Sequence, residues 1–230
     1  MSSKLAPDSP QEGRRARRRR ETRAKLLQAA HIVMSRVGVE SATIKEITQQ
    51  ADVGFGTVYS YFETKEKLAS ALLDCMIHDV VRRNFDVTED LTHTAPETVA
   101  AVRNRMFVRT GMNDPLWCWW SKHPEQLFDR LDRGISPYAK PDIRISITNG
   151  ELELAQEDVD FAWRMALWVV VGGIHDVAVH GASTNEDVRV TEAVLRLIGM
   201  PPAKAQAYAA IELPEMPPSE IDWDFAIGES

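Results

Sequence analysis

The stretch TIKEITQQADVGFGTVYSYFETKEKL, residues 43–68, constrains this chain more than any other. Thr43 and Glu46 are spaced as a capping box: the hydroxyl accepts from the third helical N–H, and the carboxylate reaches back to the Thr43 N–H. The helix they open is short, with Ile44, Ile47 and Ala51 as its apolar stripe and an end near Asp52. A tight turn through Val53–Gly54 leads to a second short helix running to about Phe62, with Val58 and Phe62 facing inward. Thr64 caps a longer helix that starts at Lys65, and Leu68, Leu72, Cys75, Ile77 and Val81 supply its inward faces. Upstream, Leu26, Ala30, Val33 and Val37 recur at helical spacing over about Arg18–Val37, and Gly38 sits at the C-cap position. Two short helices across a tight turn, braced by a preceding helix, make a helix-turn-helix.

With Val58 and Phe62 anchored inside, Phe55, Thr57, Tyr59, Ser60 and Tyr61 are left around the exposed sides of the second helix. Phe55 and Thr57 suit contact with a thymine methyl, and Thr57 also suits a hydrogen bond to a base edge. The tyrosine hydroxyls and Lys65 suit phosphate oxygens, as does a helix N-terminus opened by Gly54 and Gly56. Charge distribution agrees. The net charge is −7, but residues 1–67 carry 13 Lys+Arg against 8 Asp+Glu, whereas residues 68–230 carry 14 against 26. A basic first third on an acidic body places any polyanion at the N-terminal part.

The segment SATIKEITQQADVGFGTVYSYFETKEKLASALL resembles the DNA-binding domain of TetR-type transcriptional regulators, over about Glu21–Leu73. The likeness rests on the capped TIKEI helix, the GTVYSYF recognition helix and TKEKL opening the next helix. Gly54 departs from the family, which often has a capping Ser or Thr there; Gly is a tolerable N-cap but removes a hydroxyl. The resemblance implies a homodimer on double-stranded DNA, with one recognition helix per subunit in successive major grooves, and a C-terminal domain that binds a small molecule. Carried over by position, Thr43 and Lys45 contact phosphate, Phe55, Gly56 and Thr57 face bases, and Tyr59, Tyr61 and Lys65 hold the backbone. Ser60 belongs to the same exposed surface.

Before this unit lies RRARRRR, with Arg14, Arg15, Arg17, Arg18, Arg19 and Arg20. Three readings stand: a solvated tail that binds DNA without specificity, an arm inserted into an A·T-rich minor groove, or a stretch with no role. Residues 1–20 are expected to form a disordered arm, 21–67 the DNA-binding domain, 68–212 a helical effector-binding and dimerisation domain, and 213–230 an acidic Pro-rich tail. The expected fold class is all-α. Past Asp86 helices are expected over about Pro96–Gly111, Pro115–Lys122, Pro124–Leu131, Pro137–Asn149, Asp158–His180 and Asn185–Ile198, with a short last one in PPAKAQAYAAIEL. Only DIRISIT is ambiguous between helix and strand.

The Asp158–His180 segment has two apolar stripes, one through Phe161, Met165, Trp168, Gly172, His175 and Val179, the other through Trp163, Leu167, Val170, Ile174 and Val177. A helix apolar on two sides is buried on two sides, here against its own domain and against a second subunit, with Gly172–Gly173 allowing close approach. The segment DPLWCWWSKHPEQLF holds three tryptophans that cannot all face one core from a short helix. Trp117, Trp119 and Trp120, with Met106, Met112, Met165 and Trp168 as adaptable walls and His123 and His175 as polar anchors, are expected to build an effector pocket. The bland alternative is that they are ordinary core or interface residues. The implied effector is largely apolar, aromatic or acyl-bearing.

No other chemistry rises above this. The six histidines show no metal-binding spacing, and Cys75 and Cys118 form no disulfide framework and suit a reducing cytoplasm. No nucleophile set, phosphate loop or dinucleotide fingerprint is visible, so neither cofactor, metal nor catalytic residue is expected. No apolar run approaches the roughly 18 residues of a membrane span, and no targeting peptide is read. The expectation is a cytoplasmic repressor that binds a palindromic operator and is released by its effector. An effector-promoted or activating regulator is the alternative, and a helical-pocket enzyme with a vestigial helix-turn-helix is a remote one.

Overall fold

In a computed structural model, which describes residues 13–94, 96–181 and 185–225, the chain is helical throughout, with no strand among the described residues. The N-terminal unit holds α1 (Arg14–Val37), α2 (Ile44–Gln50) and a short 3₁₀ helix over Phe55–Ser60. Helix α3 (Lys65–Thr94) leaves this unit and runs into a body of α4 (Pro96–Asn113), α5 (Pro115–Trp120), α6 (Pro124–Thr148), α7 (Val159–His180), α8 (Glu186–Leu197) and α9 (Pro202–Ala209).

The local signals act as their chemistry dictates. Thr43 and Glu46 form the full capping box, and Thr64 Oγ1 accepts from Lys67 N–H at 3.2 Å at the start of α3. The turn after α2 is closed differently from the expected glycine turn. Asp52 takes φ 52°, Val53 N–H donates to Thr48 O at 3.0 Å, and Asp52 N–H donates to Gln49 O at 3.2 Å. These are the paired bonds of a Schellman motif, with aspartate in the left-handed position that glycine usually fills. Leu26, Leu27, Ala30, Val33 and Met34 of α1 pack on Ile47, Val58, Phe62 and Leu68, so both short helices are pinned from behind.

Three expectations are corrected here. Arg14–Arg20 are not a disordered arm but the first two turns of α1, all exposed, with Arg17 paired to Glu21 at 2.8 Å. Arginine is a good helix former, and the packed turns downstream supply a nucleus from which the helix propagates. The rest of the expected arm, residues 1–12, lies outside the described residues. The two helices expected around Pro124–Leu131 and Pro137–Asn149 are one, α6, which carries Pro137 and Pro141 inside it and absorbs DIRISIT as helix. Helix α7 meets the length and composition of a bilayer span, with a hydropathy of 1.3. In this fold its Trp163, Leu167, Val170, Ile174 and Val177 are buried.

The acidic segment after α9 also departs from a free tail. Residues 213–225 have no helix, yet they strap back across α1 and α3. Asp79, 2% exposed, is paired with Arg82 and Arg83 and accepts from Ser219 Oγ at 2.8 Å and Glu220 N–H at 3.1 Å. Phe225 stacks on His78 with ring centroids 3.9 Å apart, and Trp223 lies 5.4 Å from His31. Arg23 donates to the carbonyls of Trp223 and Phe225 while its guanidinium lies 5.7 Å from the Phe62 ring centroid. The strap therefore ties α1 and α3 together behind the 3₁₀ helix. Truncation before Met216 strips Asp79 of two donors, each worth about 1.5–3 kcal/mol when the partner is charged. Urea unfolding of the truncated chain is expected to show a loss of about 3 kcal/mol or more; an unchanged midpoint would show that the strap contributes nothing.

Candidate nucleic-acid interface and effector cavity

The Phe55–Ser60 helix presents Phe55 and Tyr59 outward, 56% and 52% exposed, with their rings edge to face at 6.0 Å. Apolar rings so exposed on a segment otherwise pinned to the core have no partner inside the fold. Gly54 has φ −64°, and neither Gly54 nor Gly56 has a neighbour that an added Cβ would crowd, so nothing within the chain demands glycine at either position. Thr57 is half-buried, Ser60 is exposed, and Tyr61 is half-buried beneath Arg19, whose guanidinium lies 5.7 Å from the ring. Thr43 and Lys45 are exposed beside them, although the Thr43 hydroxyl already bonds Glu46 Oε2 at 2.7 Å. Lys65 departs from its expected role. Its ammonium donates to Glu40 O at 2.8 Å and Ala42 O at 3.1 Å, so it braces the loop before α2.

The body holds a half-open cavity of about 950 Å³ between α3, α4, α6, α7, α8 and α9. Phe107, Trp163, Leu167, Val170, Leu195 and Ile198 supply apolar wall, and Asn84, Arg103, Asn104, Tyr138, Asp142 and Ser146 supply polar groups. Arg103 is held in place: its Nε donates to Thr88 Oγ1 at 2.8 Å, its Nη1 to Asp142 Oδ2 at 3.1 Å, and its guanidinium carbon lies 3.8 Å from the centroid of Phe85. Burial lowers the Arg103 pKa and raises that of Asp142, each opposed by the pairing.

None of the nine residues expected to build the pocket lines this cavity. Trp117 and Trp120 are core, 1% and 2% exposed, and Met106 and Met112 are buried as well. Asp114 caps α5 through Leu116 N–H at 2.8 Å, with Pro115 at the first helical position, which turns Trp117 and Trp120 inward together. Trp119 packs against Trp120 and His123 at the edge of that core. Trp168 and Met165 lie on the outer side of α7, where Trp168 stacks on Phe128 at 4.6 Å, and exposed His175 donates from Nδ1 to Ser121 O at 3.0 Å. The tryptophans still touch the cavity indirectly, because Trp117 meets the cavity residue Phe107 edge to face at 5.4 Å. Helix α5 in turn abuts α1 of the N-terminal unit.

Within single helices the sequence carries only a partial trace of this cavity, and nothing in it joins the helices. Val81 stands three residues before Asn84 and four before Phe85 on α3, Phe107 stands four after Arg103 and three after Asn104 on α4, and Tyr138, Asp142 and Ser146 on α6 are spaced by four. Each set reads as a polar interruption of an otherwise apolar face, which is what a lined cavity requires.

A second junction joins α3 to α6. Asp74, 5% exposed, accepts from Arg130 Nη1 at 2.7 Å through Oδ2, while its buried Oδ1 has no partner. Burial pushes the Asp74 carboxyl up to about 6 against the pull of Arg130. The folded pKa lies above the ordinary value, so this group's contribution to stability is full in acid and is lost as pH rises through about 6. Measured by urea unfolding, wild type is expected to lose stability relative to Asp74→Asn between about pH 4 and pH 6 and to hold a constant difference above that; a constant or reversed difference across pH 4–6 would refute this assignment.

An outward aromatic and hydroxyl-bearing helix on a three-helix unit, joined by one long helix to a hollow helical body, defines a DNA-binding regulator with a ligand domain. Comparison with known proteins agrees. The family model for bacterial regulatory proteins of the tetR family matches residues 26–72, and the tetracyclin repressor-like C-terminal domain matches residues 95–210. The chain belongs to the TetR family. It is 34% identical over 73 residues to the Probable HTH-type transcriptional regulator ArpR of Pseudomonas putida, a match spanning 31% of this chain and 35% of that relative, about a third of its length. The solved structure of RolR in complex with resorcinol is similar at 28% identity and a TM-score of 0.77, covering 88% of this chain and 100% of that one. RolR without ligand matches at 27% identity and a TM-score of 0.75, over 84% of this chain and 100% of that one. FadR of Bacillus subtilis in complex with stearoyl-CoA, 18% identical with a TM-score of 0.56 over 76% of this chain and 96% of that one, shares the fold.

Proposed function

We propose that this protein is a cytoplasmic transcriptional repressor that binds a palindromic operator as a homodimer and is released by a small, largely apolar effector held in the helical body. The observation that carries the reading is the exposed Phe55–Tyr59 surface, which serves no purpose inside the fold. Phe55, Gly56 and Thr57 face bases; Tyr59, Ser60, Tyr61, Thr43 and Lys45 contact the phosphate backbone. Arg14, Arg15, Arg17, Arg18, Arg19 and Arg20 add positive charge along one helix. A helix about 10 Å across does not enter a minor groove about 6 Å wide, so these arginines act on phosphates.

Pairing uses the outer side of α7 and the end of α8, where Phe161, Trp168, Val179 and Leu197 are exposed and an added Cβ at Gly172 meets open space. Likeness to RolR, whose structure holds resorcinol, supports a small aromatic effector in the cavity beside Phe107 and Trp163. Binding there shifts α3 and α4, and with them the separation of two recognition helices that must sit about 34–36 Å apart to enter successive major grooves. Fluorescence anisotropy of labelled DNA from the promoter of an adjacent gene tests the reading. Sub-micromolar, salt-sensitive binding is expected, and affinity no better than for random DNA of equal length contradicts it.

A further inference from the structure

The cavity's polar groups are unbalanced in a way that specifies its ligand. Asn84, 5% exposed, donates through Nδ2 to Arg103 O at 3.1 Å. That bond fixes the amide, because the reverse orientation would set two oxygens against each other. Its Oδ1 is then a buried acceptor without a donor, and so is Oδ1 of Asn104 one turn along α4 from Ala100. Both asparagines border the cavity. Buried acceptors are almost always paired, and two orphans beside one void mark where a donor belongs.

Charge points the same way. The guanidinium of Arg103 is taken up by Thr88, Asp142 and the face of Phe85. Asp86, Glu89, Asp142 and Glu151 line the cavity against two basic residues, Arg103 and Lys204. A ligand carboxylate or phosphate entering this site loses water and gains no uncommitted buried cation among the described residues. The volume of about 950 Å³ and the walls of Phe107, Trp163, Leu167 and Val170 also exceed the needs of a single ring.

Resting on the reading of this cavity as the effector site, we infer that its ligand is an uncharged hydrophobe larger than one ring that bears a hydroxyl or amide N–H donor, which it gives to Asn84 or Asn104. Calorimetry on the full-length protein with 4-hexylphenol, 4-hexylanisole and 4-hexylbenzoate separates the parts of this claim. The three share a tail and differ in carrying a donor, no donor and a negative charge. The phenol is expected to bind at least about tenfold more tightly than the anisole, since a site built to receive a hydroxyl rejects the analogue lacking it; the benzoate should bind weakest. A phenol has one hydroxyl to give, so one of Asn84→Leu and Asn104→Leu, each checked by circular dichroism, should bring phenol and anisole to within about twofold of each other without weakening the anisole, and a difference kept by both folded variants overturns the inference. Asn104 is half-buried and tolerates the change; if Asn84→Leu does not fold, Asn84→Ala takes its place in the same comparison. Equal binding of phenol and anisole, or tightest binding of the benzoate, overturns the inference and leaves the effector cavity standing. No binding by any of the three contradicts the cavity reading itself, and the inference falls with it.

Discussion

Phe55→Ala combined with Tyr59→Ala is expected to lower operator affinity by at least about 100-fold while leaving the far-UV spectrum, melting temperature and assembly unchanged. Each ring is more than half exposed, and their edge-to-face contact is with each other, so little stability is at stake. The base contact of Phe55 contributes about 1–3 kcal/mol and a Tyr59 hydrogen bond to a charged phosphate about 1.5–3 kcal/mol, and two such losses multiply to that factor. Val58 and Phe62 provide the internal contrast. They are 1% and 6% exposed on the opposite side of the same segment, so Val58→Ala should reduce binding only by destabilising the unit. Anisotropy paired with thermal melts distinguishes the cases. Native affinity in the folded double variant would refute docking through this helix.

Adjacent glycines on α7 are expected to fail in opposite ways. A Cβ at Gly173 would lie 2.5 Å from Val190 Cγ2 and 3.3 Å from Cγ1. Val190 is β-branched, buried on α8 and unable to swing aside, so Gly173→Arg forces α7 and α8 apart. This variant should unfold or lose several kcal/mol, on the scale of severe overpacking at about 1–3 kcal/mol or more. Gly172 faces open space within the chain, and Gly172→Arg should leave each subunit folded but place a charge on the proposed pairing surface. Sedimentation should then report a folded monomer for this variant and a dimer for wild type. A dimer of native affinity with Gly172→Arg would exclude that surface. The sequence alone pointed to both glycines as the dimer contact; the structure uses Gly173 for packing inside the subunit.

That difference shows what was legible from sequence and what was not. The N-terminal unit was legible because its signals are local. A capping box, a capped third helix and inward residues four apart specify elements without reference to the rest of the chain, and Thr43, Glu46, Thr64, Val58 and Phe62 act accordingly. The exposed face followed by subtraction. The cavity was not legible because a void is defined by side chains that fail to meet, drawn from six helices far apart in sequence. Trp117 and Trp120 misled because one short helix, turned by the Asp114 cap, buries both on one side. Arg14–Arg20 and residues 213–225 misled through composition. Charge and proline suggested free chain, but the first stretch continues a packed helix and the second finds specific partners in Asp79, Arg23 and His78.

Packing joins the cavity to the recognition unit. From the cavity, Phe107 meets Trp117, α5 abuts α1, and α3 carries cavity residues at one end and Thr64 next to the recognition unit at the other. A ligand moves such a system only by its differential affinity for two states, typically about 1–3 kcal/mol. Linkage then requires the effect to be mutual. The decisive measurement takes a compound whose binding is lost on filling the cavity and determines its affinity calorimetrically for the free protein and for the operator-bound dimer. The account predicts weaker binding to the operator complex by about 5–150-fold, matched by an equal loss of operator affinity when the compound is bound. Equal affinity in the two states would contradict the coupling of cavity to recognition helix.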